Sequence, residues 1–160
     1  MNARTRILVT LAAFVLTFGS IPIKHSASAQ STNNCMKVKG KFVDLTTGPE
    51  TSSGTVTNGG ILNGAEETVY DLASGVLTYD PTTVTFTGDT TWTTNRGVLK
   101  THNIFMLDFA RGVGAALYRI DPSTSTGIFA GATGVLFINA YAPDPIIAFG
   151  DISGEICFAP

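Results

Sequence analysis

Cys35-Met36-Lys37-Val38-Lys39-Gly40-Lys41-Phe42-Val43-Asp44 near one end of the chain and Ile152-Ser153-Gly154-Glu155-Ile156-Cys157-Phe158 near the other decide the fold. In the first stretch Met36, Val38 and Phe42 alternate with Lys37, Lys39 and Lys41, a two-residue period that makes a strand with one apolar and one solvated face. In the other, Ile152, Gly154, Ile156 and Phe158 share one face, and Ser153, Glu155 and Cys157 share the opposite one. Cys35 falls in the outward register of Lys37. If these two strands are antiparallel neighbours, the start of one lies beside the end of the other and the two cysteines meet outside. A Cys35–Cys157 disulfide and closure of the sheet on itself are therefore linked expectations. Two free thiols or an intermolecular bridge are the alternatives.

Working outward, residues 1–29 read as a secretion signal. Arg4 and Arg6 precede an apolar run from Ile7 to Phe18, and Ser26-Ala27-Ser28-Ala29 supplies an Ala-x-Ala cleavage site. The run is shorter than the roughly 20 residues that span a bilayer, so a retained anchor is the weaker reading and no stable membrane span is expected after cleavage. Cys35 lies beyond the polar segment of residues 30–34, too far from the apolar run for a lipoprotein. The expected location is secreted or periplasmic. Cleavage removes Arg4, Arg6 and Lys24 and no acid, which leaves seven Lys and Arg against twelve Asp and Glu, a formal charge of −5. A nucleic-acid partner has little electrostatic support in such a chain.

Residues 35–160 suffice for one domain and not two. Threonine and glycine are frequent and no long 3.6-residue pattern recurs, so β structure is expected throughout. Further strands are predicted near 55–62, 67–73, 82–88, 90–100, 102–110, 113–121, 127–140 and 147–158, some of them parts of one bent strand, giving about eight. Turns are predicted at Gly48-Pro49, Asp80-Pro81, Asn95-Arg96-Gly97, Asp121-Pro122 and Pro143-Asp144-Pro145. The expected fold is an all-β, eight-stranded antiparallel closed barrel.

Ser125-Thr126-Gly127-Ile128-Phe129-Ala130-Gly131-Ala132-Thr133-Gly134 and, later, Gly150-Asp151-Ile152-Ser153-Gly154-Glu155-Ile156 carry a family likeness. The former resembles the Gly-Thr-Gly-x-Phe-x-Gly-Ala-x-Gly segment of the allene oxide cyclase and dirigent superfamily, with Ser125 in place of the leading glycine. The latter is similar to the closing strand of these barrels. The resemblance implies an exported bacterial branch of that superfamily, an eight-stranded barrel around an apolar cavity, and a homodimer or homotrimer. The matched residues shape turns and strands, so they bring no catalytic assignment with them.

Candidate site residues come from residue chemistry alone. Phe86, Trp92, Phe105, Tyr79 and Tyr118 can line a cavity for an apolar ligand, or simply pack. His102 can act as acid or base because its ordinary titration lies near neutrality, the alternative being an exterior histidine. Asp108 lies opposite Phe105, Leu107 and Phe109 in the alternation. It is either an outward partner of Arg111 or, turned inward by a bulge, a buried acid. Arg96 beside Gly97 suits a surface hairpin, or an anion contact at a rim. No nucleotide loop, lipase-type serine motif, zinc ligand set or calcium loop occurs, so neither a cofactor nor a metal is expected. The leading functional expectation is a barrel binding a small hydrophobic organic molecule, with non-hydrolytic cyclase or isomerase activity within the same architecture. The competing class is a structural or cell-surface interaction protein whose barrel is filled by its own side chains.

Overall fold

The computed structural model describes residues 34–78 and 81–160. The expected secretion signal at 1–29, most of the polar segment that follows it, and Tyr79 lie outside the described residues. Strands β1 (Asn34–Gly48), β2 (Thr51–Thr57), β3 (Gly64–Leu77), β4 (Thr83–Thr94), β5 (Gly97–Asp108), β6 (Val113–Ile120), β7 (Thr133–Tyr141) and β8 (Ile147–Phe158) follow in order. Each pairs antiparallel with the next and β8 pairs with β1, closing an eight-stranded barrel. No helix among the described residues is long and apolar enough to cross a membrane.

The closure follows from the alternation of the terminal strands. β1 serves two neighbours, facing β8 from Asn34 to Leu45 and β2 from Lys41 to Gly48. Cys35 stands directly opposite Cys157, and the two form a disulfide with their Cα atoms 3.9 Å apart. On the same outer face Lys41 Nζ lies 3.3 Å from an Asp151 carboxylate oxygen. Both side chains are exposed, so this pair contributes little beyond fixing the register.

Three strand boundaries differ from those read in the sequence, each for a local reason. β4 runs unbroken through Gly88, where a Cβ would come 2.5 Å from the Val69 carbonyl oxygen and 3.1 Å from Phe105 Cε2, so the glycine lets β3 and the Phe105 ring approach closely. The strand ends instead at Asn95-Arg96, where the Thr94 hydroxyl accepts from the Arg96 N–H and donates to the Gly97 carbonyl, both at 3.0 Å. Residues 60–62 leave the β2 strand for a 3₁₀ turn, as do Gly127–Phe129 ahead of β7, where Gly127 takes a φ of 64° that disfavours a side chain.

Those two turns plug one end of the barrel. Leu62 and Phe129 are fully buried in the core, Phe129 with its ring centroid 6.4 Å from that of Phe158, so the glycine-rich stretch from Ser125 serves as a stopper and not only as the lead into a strand. The connections β1–β2, β5–β6 and β7–β8 gather at the opposite end.

Candidate functional site

At the unplugged end the barrel holds a cavity of about 550 Å³. Its wall is apolar, built by Phe42, Phe86, Phe105, Leu107, Ile138 and Ala148 from five strands. Polar side chains interrupt it, among them Asp44, Tyr70 and Tyr118, with Thr46, Asp108, Arg111, Tyr141 and Asp144 also in the lining. The aromatic rings form a connected set. Phe86 and Phe105 stack with centroids 5.1 Å apart, Tyr70 meets both edge-on at 5.7 and 5.2 Å, and Tyr118 meets Phe105 edge-on at 5.6 Å. Such a volume and lining suit a small organic molecule.

Behind the aromatic wall the interior turns polar, by the same two-residue alternation. Asp44 follows Val38 and Phe42 on the inner face of β1, and Glu66, Thr68 and Tyr70 occupy the inner face of β3. In the register Asp44 lies opposite Gly54, and Gly54 opposite Glu66. The missing side chain is structural: a Cβ on Gly54 would come 2.2 Å from the Val43 carbonyl oxygen and 2.9 Å from Asp44 Oδ1. The two acids are thus separated only by a backbone. Hydroxyl groups surround them. The Ser52 and Tyr70 hydroxyls lie 2.8 Å apart, and those of Thr68 and Thr90 2.7 Å apart. The Asn103 amide, oriented to satisfy both its ends, accepts from the Thr90 hydroxyl and donates to that of Thr101.

Every Lys, Arg and His among the described residues is exposed, so nothing basic in the interior offsets the two acids. Burial raises the Asp44 carboxyl above its ordinary range, partly opposed by hydrogen bonds from Ser52 and the Leu45 backbone. Burial first, and then the charge of Asp44, push Glu66 up to about 8. Glu66 is 5% exposed and keeps its proton at neutral pH. Burial likewise pushes Tyr70 up to about 12 and raises Tyr118 further, leaving both phenols neutral. The cavity therefore presents the Asp44 carboxyl and two neutral phenols, with the protonated Glu66 on the inner face of β3 beyond Tyr70.

The residues singled out from the sequence are distributed unevenly around this site. Phe86, Phe105 and Tyr118 line the cavity. Trp92 lies deeper, opposite Glu66 in the β3–β4 register and edge-on to Tyr118 at 5.9 Å, with its indole N–H buried and without a partner among the described residues. Asp108 sits at the mouth, where one carboxylate oxygen accepts from the N–H groups of Ala110 and Arg111 and the other pairs with the Arg111 guanidinium. Those contacts hold it below the usual carboxylate range. Arg96 belongs to the β4–β5 hairpin at the plugged end, away from the cavity.

His102 stands on the outer wall. Its Nδ1 is 2.6 Å from Asp89, and its Nε2 is 3.6 Å from Asp121. Asp121 is itself held by the hydroxyls of Ser123 and Thr124, whose hydrogen bonds lower its proton affinity. The barrel does not bring this histidine to the cavity. The closest grouping of metal-ligand types among the described residues, Cys35, Glu155 and Cys157, is centred on the disulfide, whose sulfurs have no thiolate to offer.

Sequence reasoning passed over Asp44, Glu66 and the Thr68/Thr90 pair. The signal for Asp44 was present, because extending the Val38, Phe42 alternation by two residues places it inside. Glu66 carried no such signal: only the pairing of β3 with β2 and β4 tells which of its faces is inner. No family model, no curated protein and no solved structure matches this chain.

Proposed function

We propose that this protein is an exported barrel that holds a small apolar organic molecule in its open end. Any turnover is then a non-hydrolytic cyclisation or isomerisation of that molecule. The observation that carries this reading is a barrel stoppered at one end by Leu62 and Phe129 and hollow at the other, with an apolar wall leading down to Asp44, Tyr70 and Tyr118. A site of this kind acts by folding its substrate and excluding water, and needs no nucleophile. Asp44 and Tyr70, which line the cavity, are the groups placed to exchange a proton with a bound molecule. The disulfide agrees with a secreted or periplasmic location. The strand count and the glycine-rich stopper support membership of the allene oxide cyclase and dirigent superfamily.

Native mass spectrometry of the oxidised protein, purified from an exporting cell, tests the reading. The expected result is a mass excess from a discrete organic molecule, or uptake of one from an organic extract of the producing cells. An empty barrel that takes up nothing would contradict it.

A further reading is favoured by the outer wall. Ile104, Leu117 and Phe137 lie in one cross-strand row on β5, β6 and β7, and Val113, Tyr141, Phe149 and Val43 lie in another that runs on to β1, all of them exposed. An apolar stripe of this extent suits association, and we propose a homodimer or homotrimer through it. Sedimentation velocity tests this, and a monomer at high micromolar concentration would contradict it.

A further inference from the structure

We infer that the cavity is shaped for an organic cation: an amine whose ammonium group rests against Asp44 while its hydrocarbon body lies among the rings of Tyr70, Phe86, Phe105 and Tyr118. This rests on the reading of the cavity as a ligand site and adds the charge of its occupant. Two independent features point the same way.

The first is uncompensated charge. Two carboxyl groups lie inside the barrel, and every described basic side chain is exposed; Arg111, in the cavity lining, is paired with Asp108 at the mouth. Asp44 Oδ1 is buried without a hydrogen-bond partner, and no hydrogen bond from a described residue reaches the carboxyl of Glu66, which is almost wholly buried. Glu66 stands on the inner face of β3 with Thr68 and Tyr70, and Tyr70 lines the cavity. A buried carboxylate with neither a counter-charge nor a full set of donors is costly, and a bound cation removes that cost.

The next is the wall. Four aromatic rings in mutual contact surround the approach to Asp44, and ring faces attract cations most strongly where water is excluded. At neutral pH Glu66 retains its proton, so Asp44 is the acid left to pair with a monocation, whose charge favours the ionised carboxylate. A carboxylate ligand would meet Asp44 head-on. An alcohol would donate one hydrogen bond and leave the charge unmatched.

Isothermal titration calorimetry of the oxidised protein at pH 7 tests this with three probes of one shape: 1-naphthylmethylamine, 1-naphthylmethanol and 1-naphthoate. The amine is expected to bind at least about tenfold tighter than the alcohol, a difference of about 1.4 kcal/mol, and the carboxylate most weakly. In Asp44→Asn, with folding checked by circular dichroism, the amine-to-alcohol ratio is expected to fall towards one. Equal binding of amine and alcohol, or a ratio unchanged by Asp44→Asn, overturns the inference while leaving the ligand site standing. Silence from all three probes overturns the ligand site and this inference together. If Asp44→Asn does not fold, the ratio in the unsubstituted protein decides alone.

Discussion

Replacing Glu66 by glutamine removes a buried acid while keeping its shape, and the effect on stability has a defined sign and pH window. The unfolded chain titrates Glu66 near 4.5, and the folded barrel holds it protonated up to about 8. Below pH 4.5 both states carry the proton and the group leaves stability at its full value. Between 4.5 and about 8 the unfolded chain releases the proton and the folded chain does not, so stability falls as pH rises. At about 1.4 kcal/mol per pH unit, this interval sets the loss at roughly 4–5 kcal/mol. Asp44, also raised by burial, acts in the same direction. Glu66→Gln cannot titrate, so its stability should be flatter across this window and should exceed that of the unsubstituted protein above pH 8. Urea midpoints with the disulfide intact, taken at pH steps from 5 to 9, give both curves. All other titrating groups are shared, so the difference between the curves isolates Glu66 and its coupling to Asp44. Parallel curves would refute the placement of Glu66 inside the barrel.

The remaining predictions concern the closure, the stopper and the outer wall. Cys35→Ser with Cys157→Ser, or reduction of the bond, releases a constraint across a sequence separation of 122 residues and should cost roughly 4–5 kcal/mol in urea unfolding; an unchanged midpoint would contradict the pairing. Phe129→Ala empties the stopper and should cost about 3–5 kcal/mol, read by calorimetry; a cost under about 1 kcal/mol would contradict its burial. His102→Ala on the outer wall should leave unfolding midpoint and probe affinity unchanged, within about 0.5 kcal/mol, and a lost affinity would place the site elsewhere.

The barrel was legible because its closing strands carry clean two-residue periods. Lys37, Lys39 and Lys41 mark one face outward, Ile152 and Ile156 mark another inward, and Cys35 and Cys157 label the strand ends that must meet. Phe86, Phe105 and Tyr118 were found for a related reason, since aromatic residues on strands gravitate to the interior. His102, Asp108 and Arg96 attracted attention by chemical type, and type alone carries no information on facing. Their positions depend on register and on which barrel end is plugged. The stopper itself is a tertiary fact: the strand predicted over 127–140 begins only at Thr133, because Gly127 takes a positive φ and Gly127–Phe129 form a turn that buries Phe129. Glu66 was the hardest to find, because its inward placement contradicts the preference of a charged residue for water and is possible only because it stays protonated.

The central claim is that the ligand site is the interior of the open end, and methyl-resolved NMR titration with neutral 1-naphthylmethanol tests it most directly. Leu107 and Ile138 face the cavity, whereas Ile104 and Leu117 lie on the outer wall of adjoining strands. Saturable shifts at the methyl groups of Leu107 and Ile138, with those of Ile104 and Leu117 still, are the predicted result. Shifts confined to Ile104 and Leu117, or none at all, would contradict it.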